Sequence, residues 1–315
     1  MMELHEAKIP TMYFIGVSTG QSSSKNIFPE WAKTLKISPA RLIGIDLKIH
    51  DKPENYQKVI RFIKNDPLSL GALVTTHKMD LMTACQDEFD EIDPLAFELG
   101  EVSSVYKRNG KLLARATDPE CGGMALENFL PPNYFSEFDS ELLILGAGGS
   151  ALALVWYFLK GPGKISAPHK IYVVNRSQGR LEHLAGLAEG WGSSSQIIPL
   201  VAHDSSVADK GINSMNPGAL VVNATGLGKD APGSPITDGA QFPDGGFAWD
   251  FNYRGDLLFL KQALSQKKNR SLTLVDGWDY FVIGWTQVIA DIFELEIPSK
   301  GHLHDLLSEQ AKERR

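Results

Sequence analysis

Apolar and polar residues along this chain follow two alternating rhythms. Short unbroken apolar runs, bounded by small or polar residues, read as buried strands at 12–17, 42–45, 73–76, 142–145, 170–174, 219–223, 247–251 and 272–275. Between them, apolar residues recur at helical spacing. Ile27, Trp31 and Leu35 share one face of a helix over 27–35, and further helices are predicted at 55–64, 79–85, 94–99, 151–159, 181–188, 257–264 and 280–293. Residues 102–107 and 112–116 flank Arg108-Asn109-Gly110, which predicts a hairpin. Strand followed by helix, repeated, implies an α/β fold with a largely parallel sheet in the first half. Pro131-Pro132-Asn133 is the natural linker, and a charged tail follows the last apolar helix.

The junction after 142–145 adds chemistry to this pattern. Leu145-Gly146-Ala147-Gly148-Gly149-Ser150 joins an apolar strand to an Ala-rich helix, the form of a dinucleotide-binding βα turn. Glycines let the backbone turn sharply and approach a pyrophosphate, which sits on the amides of the helix start. At the end of the next strand, an NAD site places an acid against the ribose hydroxyls. This chain has Asn175-Arg176-Ser177-Gln178-Gly179-Arg180 there. Guanidinium groups suit the 2′-phosphate of NADP.

Composition narrows the class. With 315 residues, 43% hydrophobic and 22% charged, the chain has ample core for two domains. A net charge of −7 favours neither nucleic acid nor an anionic membrane as partner. Two cysteines, Cys85 and Cys121, show no metal or disulfide spacing, which fits a reducing cytoplasm, and no metal site is expected. Residues 1–10 carry Glu3, His5, Glu6 and Lys8, unlike a signal peptide, and no run approaches the roughly 18 apolar residues of a membrane span.

Several motifs, in order from about residue 14 to about residue 295, resemble the shikimate/quinate dehydrogenase superfamily. They are Thr75-Thr76-His77-Lys78, Asp93-Pro94-Leu95-Ala96, Glu101-Val102-Ser103-Ser104-Val105, Ala116-Thr117-Asp118, the glycine loop, Asn175-Arg176-Ser177 with Arg180, and Asn223-Ala224-Thr225-Gly226-Leu227-Gly228. The resemblance implies a substrate domain over 1–130, completed by C-terminal helices at about 281–315, and a Rossmann-like NADP domain over 131–280. It places the active site in the cleft between them. It implies reversible hydride transfer between NADP(H) and the C3 alcohol or ketone of shikimate or a related cyclic polyhydroxy carboxylate, by a cytoplasmic monomer or homodimer.

By the same resemblance Lys78 and Asp118 are the proton-transfer pair. The chemistry agrees: an alcohol oxidised by hydride loss must also lose its hydroxyl proton, and a lysine held by a carboxylate can take it. Ser22 and Ser24 match a serine pair that binds the substrate carboxylate, with Thr75, Ser103, Tyr253 and Gln287 also on the substrate. Gly146, Ala147, Gly148, Gly149, Ser150, Asn175, Arg176, Ser177, Arg180, Thr225, Gly226 and Gly277 are implied around NADP.

Departures gather on the substrate side. Ser103 replaces an asparagine, Ala116 another, and Pro119 a glycine; Gln21 and Lys25 replace a histidine and a proline around the serine pair. The loop after Asn223 lacks the usual proline and methionine. Losing a buried hydrogen bond to one hydroxyl can change discrimination by orders of magnitude. Quinate-type or aminoshikimate-type specificity, or a ligand-sensing role with little turnover, therefore remain open beside the shikimate reading.

Overall fold

A computed structural model describes residues 4–192, 195–229 and 231–314. The chain forms two compact units, Met1–Asp118 with Val282–Arg315, and Pro119–Phe281. The division falls at the start of the helix that Asp118-Pro119 opens, and Pro131-Pro132-Asn133 lies inside the second unit.

In the first unit the order is β1 (Thr11–Gly16), α1 (Ser24–Thr34), β2 (Arg41–Asp46), α2 (Pro53–Asn65), β3 (Ser69–Val74) and α3 (Lys78–Cys85). Then come β4 (Glu91–Ile92), α4 (Pro94–Leu99), β5 (Ser104–Arg108) and β6 (Lys111–Arg115). The sheet order is β2-β1-β3-β5-β6-β4, with β5 alone running against the rest. The hairpin joining β5 to β6 turns at Asn109 and Gly110, both at positive φ, as a tight two-residue turn requires. Tyr56, Val59, Ile60 and Ile63 form the buried stripe of α2, at the spacing of one helix face. Asp93 starts α4 by accepting the amide of Leu95 at 2.7 Å, with Pro94 in the first turn.

The C-terminal part of the chain completes this unit. Trp285, in α11 (Trp278–Phe293), meets the ring of Phe14 edge-on at 5.1 Å. The charged tail forms α12 (His302–Glu313), which buries His304, Leu307, Ser308 and Ala311 on one face. Trp31 of α1 donates its indole N–H to the Leu307 carbonyl at 2.8 Å.

The second unit holds α5 (Asp118–Leu126), α6 (Tyr134–Phe138), β7 (Leu142–Leu145), α7 (Gly149–Lys160), β8 (Lys170–Asn175) and α8 (Gln178–Trp191). It continues with β9 (Gln196–Val201), α9 (Ser205–Asn213), β10 (Leu220–Asn223), β11 (Phe247–Asp250), α10 (Leu258–Arg270) and β12 (Thr273–Val275). Its sheet is wholly parallel, in the order β12-β11-β10-β7-β8-β9. This is the doubly wound Rossmann order, whose direction of winding reverses between β7 and β10. In such sheets ligands bind beyond the carboxyl ends of the strands at that reversal. Among the described residues, no helix is long and apolar enough to cross a membrane, and no cluster of His, Cys, Asp or Glu could hold a metal ion.

Candidate active site

Three parallel strands of the first sheet end at the same edge, and the candidate residues follow them. After β1, Thr19 anchors the loop by donating its backbone N–H and its hydroxyl to Asp46 Oδ1, at 2.7 and 2.6 Å. Ser22 and Ser24 follow with their hydroxyl oxygens 2.8 Å apart, Ser24 at the start of α1. After β3, Thr75 donates its N–H and hydroxyl to the Ile15 carbonyl, and its own carbonyl accepts the Lys78 amide at 3.2 Å. Lys78 is thereby the first residue of α3. After β6, Ala116 and Thr117 lead to Asp118.

These two residues, forty positions apart, meet: Lys78 Nζ donates to Asp118 Oδ2. Their side chains are 22% and 16% exposed, so the pair is sheltered yet reachable. Removing either partner would leave a partly desolvated charge.

Ser103 holds this arrangement together. Buried before β5, it accepts the Thr117 amide on its hydroxyl oxygen at 2.7 Å and shares a hydrogen bond with the Thr117 hydroxyl at 3.0 Å. Its hydroxyl is thus committed to the residue before Asp118. Gln287, also implied on the substrate, donates its amide to the Ile297 carbonyl at 2.8 Å and lines a cavity of about 600 Å³ beside Arg108, Arg115 and Asp291. Glu101, to which the sequence assigns no role, is buried, and the charges of Lys78 and Asp118 act on it. Nothing local marks it: only its depth in the fold sets it apart.

The glycine loop of the second unit sits between β7 and α7, at the reversal of the sheet. Gly146 has φ +109°, and a Cβ there would stand 3.0 Å from the Ala224 carbonyl oxygen, so glycine alone fits. Ala147, Gly148, Gly149 and Ser150 remain partly accessible at the start of α7. Beyond β8, Asn175 Nδ2 donates to the Ser177 carbonyl at 3.2 Å, and Ser177 caps α8 by accepting the Arg180 amide. Arg176 and Arg180 are exposed, and neither guanidinium has a hydrogen bond or ion pair among the described residues.

The loops after β10 and β11 are knitted by polar groups. Asn223 Oδ1 accepts the N–H and hydroxyl of Thr225 at 3.0 and 2.6 Å. Asn223 Nδ2 donates to Asp250, whose carboxyl burial pushes up to about 6 against hydrogen bonds from Asn252 and Asn223. Asn252 Nδ2 bonds the carbonyls of Thr225 and Leu227, leaving Gly226 exposed at the tip. Tyr253 stacks on Phe281, with ring centres 4.2 Å apart.

Gly277 packs against the same loop: a Cβ there would lie 2.1 Å from the Phe251 carbonyl oxygen. Gly277→Ala must displace backbone, and is expected to destabilise the fold by about 2–3 kcal/mol. A thermal melt would show a midpoint roughly 5–10 °C lower; an unchanged midpoint would disprove the close approach.

No protein-family model matches the chain. The shikimate dehydrogenase (NADP(+)) of Lactococcus lactis subsp. cremoris is 31% identical over 159 residues, 49% of this chain and 51% of that protein. The enzyme of the same name from Dictyoglomus thermophilum is 27% identical over 267 residues, 82% and 86% of the two. The chain therefore matches about half the length of the first relative and most of the second. The solved shikimate 5-dehydrogenase of Thermus thermophilus, in complex with NADP(H) and shikimate, superposes with a TM-score of 0.71. It covers 98% of this chain and 100% of its own at 20% identity, a likeness of fold. In sequence the chain is similar to shikimate dehydrogenases (NADP(+)), and it shares the fold of a solved shikimate 5-dehydrogenase along nearly its full length.

Proposed function

We propose that the protein is an NADP-dependent oxidoreductase that interconverts the C3 alcohol and ketone of shikimate or a related cyclic polyhydroxy carboxylate. The observation that carries this reading is the sheltered Lys78–Asp118 ion pair at the carboxyl edge of the first sheet.

The second unit fits NADP on its own geometry. The sharp turn at Gly146 and the open space at Gly148, before α7, suit a pyrophosphate, and Arg176 and Arg180, unpaired among the described residues, suit a 2′-phosphate. When bound, NADP(H) supplies or accepts the hydride. The protein's own groups handle the proton. In the oxidation direction Lys78, as a free amine, takes the hydroxyl proton while the carbonyl forms, and the Asp118 carboxylate holds the resulting ammonium. In reduction the ammonium returns that proton to the developing alkoxide. The paired hydroxyls of Ser22 and Ser24 bind the substrate carboxylate, which replaces their mutual hydrogen bond with two bonds to itself.

The commitment of Ser103 to Thr117 favours a ring substituted differently from shikimate, because one side-chain donor to the ring hydroxyls is withdrawn. The deciding experiment measures initial rates with NADP and with NAD at equal concentration on shikimate, quinate and their amino analogues. NADP-coupled turnover of at least one is expected. Tight calorimetric binding without turnover would instead establish a ligand-sensing protein, and neither binding nor turnover would refute the substrate class.

A further inference from the structure

One buried acid has no part in the chemistry above. Glu101 lies in the turn between α4 and β5, is 4% exposed, and its Oε1 has no hydrogen-bond partner among the described residues. Its backbone is fixed against the site. Its N–H donates to the Ala96 carbonyl at 3.1 Å, and the next amide, Val102, donates to the carbonyl of Lys78 at 3.1 Å. A buried carboxyl oxygen without a hydrogen-bond partner is costly, and such groups gather where chemistry uses them.

We propose that Glu101 is a positioning residue for proton transfer at Lys78: a second buried carboxyl, set against the same ammonium as Asp118, that controls how readily Lys78 releases its proton. This inference rests on the oxidoreductase reading. The charges acting on Glu101 come from Lys78 at the start of α3 and Asp118 at the start of α5. His77, beside Lys78, is turned to the Tyr56 hydroxyl at 3.1 Å.

Burial pushes the Glu101 carboxyl up to about 7, with Lys78 pulling it down and Asp118 pushing it further up. Below that pH Glu101 is neutral and Lys78 faces the single charge of Asp118. Above it Glu101 releases its proton to solvent, and two carboxylates hold one ammonium. Lys78 then keeps its proton more tightly as pH rises, which favours proton donation in ketone reduction over proton abstraction in alcohol oxidation.

The test reads Lys78 directly in the protein without added cofactor or substrate. Modification of Lys78 by trinitrobenzenesulfonate is followed against pH and located by peptide mass spectrometry. In the wild type the profile should show an inflection near neutral pH in addition to the main midpoint. In Glu101→Gln that inflection should vanish and the midpoint should fall by roughly one pH unit, the loss of one nearby charge. Glu101→Asp should restore at least part of the shift. A folded Glu101→Gln with an unchanged midpoint overturns the proposal. If that variant does not fold, a wild-type profile without the neutral inflection overturns it, and one with the inflection supports it. A protein that turns over no substrate, yet shows the shifted Lys78 profile, refutes the oxidoreductase reading and leaves the electrostatic coupling of Glu101 standing.

Discussion

Lys78→Ala is expected to lower the turnover number in either direction by roughly 10²–10⁴-fold, the usual worth of a positioned proton donor or acceptor. The protein should remain folded, because Lys78 opens α3, where alanine is a good helix former. The KM for NADP should hardly change, since Lys78 belongs to the first unit and the proposed NADP groups to the second. Two effects mix in the alanine variant: loss of the proton carrier and loss of the counter-charge to Asp118. Lys78→Arg separates them. A guanidinium keeps the positive charge beside Asp118 but does not release a proton at any working pH. If proton transfer is the role, Lys78→Arg is nearly as slow as Lys78→Ala. If Lys78 serves only as a counter-charge, Lys78→Arg retains most of the activity. Wild-type turnover in Lys78→Ala would sink the mechanism.

The second large effect concerns the cofactor. Replacing Arg176 and Arg180 together by alanine should raise the KM for NADP by roughly 10²–10⁴-fold and leave that for NAD nearly unchanged, since hydrogen bonds to charged groups contribute about 1.5–3 kcal/mol each. Both side chains are exposed and unpaired among the described residues, so no folded-state contact is lost. Stability should stay within about 0.5 kcal/mol of the wild type, as for ordinary surface positions. The wild-type preference for NADP should also weaken with added salt, because exposed charges are screened beyond about 10 Å at 0.1 M. A wild type that prefers NAD, or a double variant with unchanged NADP kinetics, would disprove the role of these arginines.

Much of the local structure could be read from residue order. Asn109-Gly110 set the hairpin, and Asp93-Pro94 the start of α4, because turn and cap chemistry act within a few residues. Other elements carry weak local signals. β9 has no fully buried position and contains Pro199. α9 is short, and its start depends on a single cap, Asp204 to the Ser206 amide. α5 carries Gly122-Gly123, which local propensity reads as a break. Yet a Cβ at Gly123 would stand 2.0 Å from the Tyr157 ring, so close packing against α7 is what requires glycine there.

The strand and helix alternation, the glycine turn, and the residue types able to carry a proton or a phosphate are all legible in residue order. Each of these depends on neighbours one or two turns away. Which distant residues meet depends on how the strands are ordered in the sheet. The fold paired Lys78 with Asp118 by ending β3 and β6 at one edge of a sheet, a consequence of β5 running antiparallel between them. It turned Ser103 toward Thr117 and Gln287 toward Ile297. It also buried Glu101 beside a charged pair. Burial depends on how layers stack, and a carboxyl's charge depends on that burial, so neither is written in the identity of its neighbours along the chain.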